Sequence, residues 1–187
     1  MLDLASHDGR WSLAALDAGA ESVVGVEARD YLVARARQNF VAYGVEPKRY
    51  SFIQDVVPEA LSTYVRGSFD IILCLGFLYH TAKHFEVFAQ FDRLAPKHVI
   101  LDTAVIHTDQ PTIGFRYEAE GAAAAAVEQG RLLAISGVPS HSMITMLCDY
   151  FDFSWQIVDW NTFGIERWEA LEDYQHDQRR TYVLTRK

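Results

Sequence analysis

The opening segment, up to Glu27, constrains the fold of this chain more than any other part. The apolar residues Leu2 to Leu4 are followed by a turn of small and polar residues ending at Gly9, then by an apolar helical pattern, and a second apolar run ends at Glu27. This order predicts a strand, a turn, a helix and a second parallel strand. An acid about 20 residues beyond such a turn is placed to accept hydrogen bonds from ribose hydroxyls. The segment therefore predicts a nucleotide-binding α/β sheet.

Composition and charge limit the classes of function. Half of the 187 residues are hydrophobic and 22% are charged, so we expect one globular domain over residues 1–187. The net charge of -8 argues against a nucleic acid as the main partner, because phosphate contacts need clustered Lys and Arg. No membrane span or signal peptide is evident, which favours a cytoplasmic protein. Cys74 and Cys148 lie in apolar patterns and are expected to be buried thiols.

Strand and helix patterns alternate along most of the chain. Further strands are predicted at 22–27, 50–54, 69–75, 98–103, 154–160 and 180–185. Residues 104–139 break the alternation and are too long for an idle connection, so we expect an insertion that acts as a lid or substrate-binding cap. Its alanine run, 122–126, predicts one or two helical turns. Ser140 is a favourable N-cap for the helix that follows.

Four motifs carry a family resemblance: Asp3 to Gly9, Val24 to Glu27, Gln54 to Val56, and the run from Phe69 to His80. With the order of the predicted elements, they resemble the class I S-adenosylmethionine-dependent methyltransferases over essentially the whole chain. The sequence is especially similar to the tRNA wobble-uridine carboxymethyltransferase branch and to related bacterial small-molecule methyltransferases. The resemblance implies an α/β, Rossmann-like sheet of seven strands, the last one antiparallel, with helices on both faces.

The resemblance implies S-adenosyl-L-methionine as the cofactor. Glu27 would then hold the ribose, Asp55 and the backbone of Val56 would meet the adenine, and Leu75 would line the methyl-donor end. The alternatives are a solvated acid for Glu27, an N-cap for Asp55 and core packing for Leu75. The residues assigned to the cofactor are Asp3, Ala5, Ser6, His7, Gly9, Glu27, Ala28, Asp55, Val56 and Leu75.

Two departures from the family pattern bear on cofactor binding. The family's first loop reads acid-x-Gly-x-Gly-x-Gly, whereas Ala5 and His7 stand at its first two glycine positions. Alanine is a mild change that blocks only positive φ and the closest backbone approach. His7 either contacts the methionine carboxylate or weakens binding. The family also has a helix before the first strand; its absence here implies either truncation or cover from another segment or subunit.

Histidines are the candidates for acid–base chemistry. The resemblance places Tyr79 and His80 beside the reactive methyl group. His141 follows the N-cap Ser140, where the helix dipole disfavours a charged imidazole and leaves a neutral ring able to accept a proton. We therefore expect His141 to be the base, with His80 second. His107 is a weaker candidate, and the histidines expected on the surface or on helix faces are His84, His98 and His176.

Asp102 and a C-terminal aromatic group have several interpretations each. Asp102 ends the fifth predicted strand, where it is placed to orient a base, bind substrate hydroxyls, cap a helix or ligate a divalent ion such as Mg²⁺. The aromatic residues form either a stacking surface for a sugar or an aromatic substrate, or else an apolar edge of the core or a homodimer surface. They are Trp155, Trp160, Phe163 and Trp168.

These features predict a methyltransferase that methylates an oxygen of a small molecule, such as a saccharide, with a histidine as general base. The base is needed because an alcohol is a poor nucleophile at neutral pH. Two alternatives stay open. The match from Gly76 to His80 suggests an enzyme that modifies the wobble uridine of tRNA, and the replaced glycines suggest a non-catalytic nucleotide-binding scaffold.

Overall fold

The computed structural model describes residues 1–119 and 133–187, which are organised around one mixed sheet and a separate hairpin. The strands are β1 (Leu2–Leu4), β2 (Val23–Glu27), β3 (Tyr50–Gln54), β4 (Ile71–Leu75), β5 (His98–Ala104), β6 (Ile113–Ala119), β7 (Leu133–Pro139), β8 (Phe153–Ile157) and β9 (Arg179–Arg186). The α-helices are α1 (Arg10–Asp17), α2 (Asp30–Ala42), α3 (His84–Leu94), α4 (His141–Tyr150) and α5 (Glu172–Gln175).

The seven-stranded sheet has the order β3-β2-β1-β4-β5-β9-β8. Strands β1 to β5 pair in parallel, and β9 runs antiparallel between β5 and β8. The predicted α/β architecture, with its antiparallel last strand, is therefore confirmed. Because the carboxyl ends of β1 to β5 lie at one edge, the loops that follow them converge there, where open α/β sheets bind ligands.

Apolar side chains on the two faces of the sheet form two cores. On one face, Leu4 and Ile72 belong to the core that α3 and α4 cover. On the other face, Phe40 of α2 meets Phe52 of β3 edge-on, with 4.8 Å between the ring centroids. Burial of each such side chain stabilises the fold by about 1.5–3 kcal/mol. Cys74 lies in the first core as a free, buried thiol, as its apolar context predicted.

Ser140 caps α4 as the sequence predicted. Its Oγ accepts a hydrogen bond from the backbone N–H of Met143 at 3.0 Å and donates one to the carbonyl of Gln110 at 2.8 Å. The backbone N–H of Thr112 also donates to this oxygen. One side chain thus starts the helix and fixes the entry to the 104–139 segment.

The described part of the 104–139 segment is mainly a hairpin of β6 and β7, which packs near the start of α3. A Cβ added at Gly137 would lie 3.0 Å from Cε1 of His84, so the two elements approach closely. His84, the first residue of α3, is consequently only 1% exposed, so of the two positions expected for it the helix is confirmed and the surface is wrong. The alanine run 122–126 lies outside the described residues.

A groove of about 660 Å³ runs along the α1 side of the sheet. Trp11, Leu73, Leu75 and Ile100 are among the side chains that line it. Within the described ranges, no helix has the length and apolar character needed to cross a membrane.

Candidate active site

The loop after β1 has left-handed backbone at the three positions where the family has glycine. The φ angles are 53° at Ala5, 53° at His7 and 82° at Gly9. Alanine and histidine adopt this conformation at a cost of about 1–2 kcal/mol each. The expectation that alanine would block positive φ is therefore wrong: the surrounding fold imposes the glycine conformation on both residues.

Hydrogen bonds and packing impose that conformation. The backbone N–H of Ser6 donates to the carbonyl of Val26 on β2, and that of Gly9 donates to the carbonyl of Ser6. A Cβ at Gly9 would lie 2.9 Å from both Phe40 and Phe52, so only glycine fits there. The loop is thus anchored on β2 and on the core beneath α2.

Asp3 holds this turn from below. Its Oδ2 accepts a hydrogen bond of 2.6 Å from the hydroxyl of Ser12 on α1, and both side chains are buried. Burial raises the pKa of Asp3 to about 7. The hydroxyl of Ser6 is also buried and has no hydrogen-bond partner among the described residues. The geometry thus gives Asp3, which was assigned to the cofactor, a structural role in holding the turn.

Glu27 lies at the carboxyl end of β2, under the same loop. Its carboxylate accepts hydrogen bonds from the backbone N–H of His7 at 3.0 Å, the backbone N–H of Arg29 at 3.1 Å and Nε of Arg29 at 2.8 Å. The acid is only 1% exposed as a result. A ribose would reach it only after the Arg29 side chain turns outward, whereas the two backbone bonds can remain.

Asp55 follows β3 and lies next to Glu27. The backbone N–H of Asp55 donates to the carbonyl of Glu27 at 3.1 Å, so the ends of β2 and β3 are joined. The side chain of Asp55 is exposed, and its Oδ1 accepts from the backbone N–H of Val56 at 2.7 Å. Ala28, the residue that follows β2, is half-buried. The spacing suits an adenosine, with ribose and base on adjacent strand ends.

His80 and Glu118 form a pair beyond the end of β4. Nδ1 of His80 lies 3.0 Å from Oε2 and 3.1 Å from Oε1 of Glu118, which comes from β6. Because an ionised carboxylate can only accept, Nδ1 carries the proton. Burial lowers the pKa of His80, while Glu118 opposes the shift. Leu75 and Gly76 come directly before this segment, and Gly76 has a φ of 75°.

Asp102 and Arg179 form a buried cluster on the neighbouring strands. Nε of Arg179 donates to Oδ1 of Asp102 at 2.5 Å, and the hydroxyls of Tyr174 and Thr181 donate to Oδ2 at 2.9 Å and 2.6 Å. These donors occupy the carboxylate, for which binding a divalent ion was one of several interpretations. Among the described residues, no group of three His, Cys, Asp or Glu is arranged to hold a metal ion.

Tyr79 connects the His80–Glu118 pair with the Asp102–Arg179 cluster. Its ring centroid lies 4.0 Å from that of His80, and its hydroxyl accepts a hydrogen bond of 3.2 Å from Nη1 of Arg179. The guanidinium carbon of Arg179 lies 5.1 Å from the Tyr79 ring centroid. The structure thus brings together Tyr79, His80 and Asp102 as candidates, and adds Glu118 and Arg179.

His141 is not part of this group. Its Nδ1 lies 3.1 Å from the hydroxyl of Tyr182, and the two rings stack with centroids 5.8 Å apart. Successive side chains of β9 point to opposite faces, so Tyr182 faces away from Thr181, which contacts Asp102. His141 and the Asp102 cluster therefore lie on opposite faces of β9. His107 is exposed.

Sequence reasoning missed Glu118 and Arg179. Glu118 lies within the segment expected to be an insertion, and nothing local marks it as a partner of His80. Arg179 belongs to a small group of basic residues near the C-terminus, with Arg180, Arg186 and Lys187, and nothing local distinguishes it from them. Its approach to Gly76 follows from the antiparallel pairing of β9 with β5, in which Arg179 is opposite Ala104.

The described residues suit S-adenosylmethionine. The positive-φ loop brings backbone close to the strand ends, the orphaned hydroxyl of Ser6 lies beneath it, and the acids Glu27 and Asp55 sit on adjacent strands. Gly25 has no space for a side chain, since a Cβ there would lie 2.6 Å from Phe52. This cradle is compatible with a nucleoside at β2 and β3 and with a methyl donor near Gly76.

Comparisons with known proteins agree with this geometry. The family described as "Methyltransferase domain" matches residues 1–97. The N-terminal domain of EvdMO1, whose structure has SAH bound, is 18% identical, with a TM-score of 0.70 over 99% of this chain and 73% of that one.

An S-adenosylmethionine-dependent methyltransferase from Mesorhizobium loti is 15% identical, with a TM-score of 0.68 over 99% of this chain and 90% of its own. A putative S-adenosylmethionine-dependent methyltransferase from Listeria monocytogenes is 10% identical, with a TM-score of 0.70 over 100% of this chain and 89% of that one. No curated protein sequence matches significantly. These likenesses establish the shared fold, and the family match covers more than half of the chain. The chain therefore belongs to the class I S-adenosylmethionine-dependent methyltransferase family.

Proposed function

We propose that this methyltransferase transfers a methyl group to an oxygen of a small-molecule hydroxyl compound, with His80 rather than His141 as the general base. The observation that carries the proposal is the pairing of His80 with Glu118 next to Gly76. His80 lies on the loop after β4, at the ligand edge of the sheet, whereas His141 packs against Tyr182 on the other face of β9.

The His80–Glu118 pair has the chemistry that an alcohol acceptor needs. Glu118 holds the proton on Nδ1, so Nε2 has a free lone pair that accepts the hydroxyl proton as the oxygen attacks. The carboxylate then stabilises the imidazolium that forms. His80 is 20% exposed and Glu118 11%, so this stabilisation is screened less than it would be at the surface.

The cofactor supplies an electrophilic methyl group on a sulfonium. In this proposal, Glu27 holds the ribose hydroxyls after Arg29 turns outward, and Asp55 with the backbone of Val56 holds the adenine. The loop from Ala5 to Gly9 lies against the amino-acid end. The main task of these residues is alignment, which places the acceptor oxygen in line with the methyl group.

The acceptor we propose is rich in hydroxyl groups, such as a saccharide. The N-terminal domain of EvdMO1, a structural neighbour, was also crystallised in the presence of SAH and D-fucose. In this chain, the Tyr79 ring lies 4.0 Å from that of His80 and the carboxylate of Glu118 contacts His80 directly; the Tyr79 hydroxyl and this carboxylate are groups that bind sugar hydroxyls. The β6–β7 hairpin, which carries Glu118, would cover the acceptor.

The test is a methyl-transfer screen with S-adenosylmethionine carrying a labelled methyl group. A panel of monosaccharides and hydroxy acids is incubated with the wild-type protein, His80→Ala and His141→Ala. We expect His80→Ala to lower turnover about 10²–10⁴-fold on the best acceptor, with S-adenosylhomocysteine affinity unchanged. His141→Ala is the matched control and should keep most of the activity. The reverse order, or no methyl transfer to any member of the panel, would contradict the proposal.

A further inference from the structure

We propose that Arg179 and Tyr79 form a binding site for a carboxylate of the acceptor, which makes the acceptor a hydroxy acid such as a sugar acid. The inference rests on the proposed function for the location of the acceptor next to His80. It goes further by giving that acceptor a charge and a recognition group.

Arg179 is held in place on the Nε side of its guanidinium group. Nε donates to Asp102 at 2.5 Å and also to the hydroxyl of Tyr174 at 3.1 Å. Asp102 is itself fixed by Tyr174 and Thr181. The side chain of Arg179 is only 19% exposed, so the guanidinium has little freedom to turn.

The outer edge of the same guanidinium faces the acceptor region. Nη1 donates to the hydroxyl of Tyr79, while Nη2 has no acceptor among the described residues. A Cβ built on Gly76 would lie 3.0 Å from Nη2, so this nitrogen reaches the end of β4. Since Tyr79 receives a hydrogen bond from Arg179, its own O–H proton remains available to a ligand.

These donors match a carboxylate. The two terminal nitrogens of an arginine form a planar fork that pairs with both oxygens of a carboxylate, and the hydroxyl of Tyr79 adds a third donor. A lysine, whose ammonium group is a point charge, would not offer such a planar pair of donors. Glycine at position 76 suits its positive φ of 75° and also leaves space beside Nη2, since a Cβ there would lie 3.0 Å from that nitrogen.

The charge balance also favours an anion. Arg179 with Asp102 is neutral, and so is the exposed Arg116 with Glu118. S-adenosylmethionine bears a net positive charge from its sulfonium, so the loaded site gains one positive charge next to Gly76. A carboxylate on the acceptor neutralises this charge in a partly buried region, where opposite charges attract more strongly than in water.

The experiment uses protein saturated with S-adenosylhomocysteine and two probes that differ in one functional group, benzoate and benzamide. Their binding is measured by ligand-observed NMR titration. We expect benzoate to bind about tenfold or more tightly than benzamide, and Arg179→Met to abolish this preference. Arg180→Met is the matched control, because Arg180 carries the same charge on the next residue and pairs with Asp177.

A second arm identifies the source of the carboxylate. If Arg179 instead held the methionine carboxylate of the cofactor, Arg179→Met would weaken S-adenosylhomocysteine binding; we expect its affinity to change less than about twofold. Loss of that affinity would overturn the inference, as would equal binding of the two probes or a preference that survives Arg179→Met. Failure of the proposed function alone would show differently, as a normal benzoate preference without methyl transfer to any hydroxyl.

Two milder variants extend the test if Arg179→Met fails to fold. Arg179→Lys keeps the charge but loses the fork, and Tyr79→Phe removes the third donor without altering the Arg179–Asp102 ion pair. Each should reduce the preference for benzoate at least about threefold while circular dichroism shows native structure. A full preference in both variants would mean that Arg179 serves the fold only.

Discussion

Glu118 contacts His80 at 3.0 Å although the two lie 38 positions apart in the sequence. His80 belongs to the loop after β4, and Glu118 belongs to β6 in the hairpin. The proposed base is therefore complete only when the hairpin lies against the sheet edge. This one hydrogen bond therefore links the position of the hairpin, which would cover the acceptor, to the function of His80 as a base.

Replacement of Glu118 by Gln should shift the pH dependence of catalysis. Glu118 raises the pKa of His80 against the lowering effect of burial. Without its charge, that pKa falls, so the acidic limb of the kcat/KM profile moves to lower pH. The plateau should also fall about tenfold or more, because the weaker base is no longer oriented. Profiles from pH 5 to 9 check both effects.

Arg116→Met is the matched control for that experiment and should act in the opposite direction. Arg116 lies near the pair, and its charge lowers the pKa of His80. Its removal should move the acidic limb to higher pH, with a plateau within about twofold of wild type, because the side chain is largely exposed. If the acidic limbs of Glu118→Gln and Arg116→Met moved in the same direction, the pH profile would report the titration of another group.

Glycine at positions 5 and 7 should stabilise the protein. Ala5 and His7 hold left-handed φ angles that cost a residue with a Cβ more than they cost glycine. Ala5→Gly and His7→Gly should each raise the free energy of unfolding by about 0.5–1 kcal/mol, measured by urea titration. Ser6→Gly lies between them without a positive φ, and should lower stability instead. Destabilisation by all three variants would mean that the loop stores no such strain.

The protonation of Asp3 should make stability depend on pH. Its folded-state pKa of about 7 lies above the ordinary value of 3.8, so the folded protein binds this proton more tightly than the unfolded chain. The resulting stability is present below pH 4 and is lost as the pH rises towards 7. Between pH 5 and pH 8, the free energy of unfolding of the wild-type protein should fall by about 2–3 kcal/mol more than that of Asp3→Asn.

Urea titrations at the two pH values measure this difference. Asp17→Asn, an exposed change at the end of α1, is the control and should follow the wild-type protein at both pH values. Parallel behaviour of Asp3→Asn and wild type would contradict a raised pKa at Asp3.

Binding to tRNA should be weak and insensitive to salt. The chain carries a net charge of -8, and a protein that neutralises several phosphates loses affinity steeply as salt rises. Filter-binding assays with tRNA at about 50 and 200 mM salt test this expectation. Tight binding with a steep salt slope would favour the wobble-uridine alternative over a small-molecule acceptor.

The strand–helix alternation was predictable because local patterns determine it. The apolar runs that became β1, β3 and β4 lie close to their expected bounds, and Ser140 caps α4 as its side chain predicted. The loop conformation was only half predictable. The spacing to Gly9 marked a turn, but the fold's demand for positive φ at Ala5 appears only in three dimensions.

The composition of the site depends on long-range pairing, which local periodicity does not encode. Arg179 reaches the end of β4 because β9 inserts antiparallel beside β5, and Glu118 reaches His80 because β7, which pairs with β6, packs against the turn that contains His80. His141 illustrates the converse case. Its position at a helix N-terminus suggested a base, but the pairing of β9 brings Tyr182 under its ring instead.

The most direct test of the account is a calorimetric titration with S-adenosylmethionine of wild type, Glu27→Ala and Arg29→Ala. We predict one site per chain in the wild type and a loss of about 1.5–3 kcal/mol of binding free energy in Glu27→Ala, the scale for hydrogen bonds to a charged group. Arg29→Ala should bind at least as tightly as wild type, because it removes the side chain that covers Glu27. No binding by the wild type, or equal affinity in Glu27→Ala, would contradict the account.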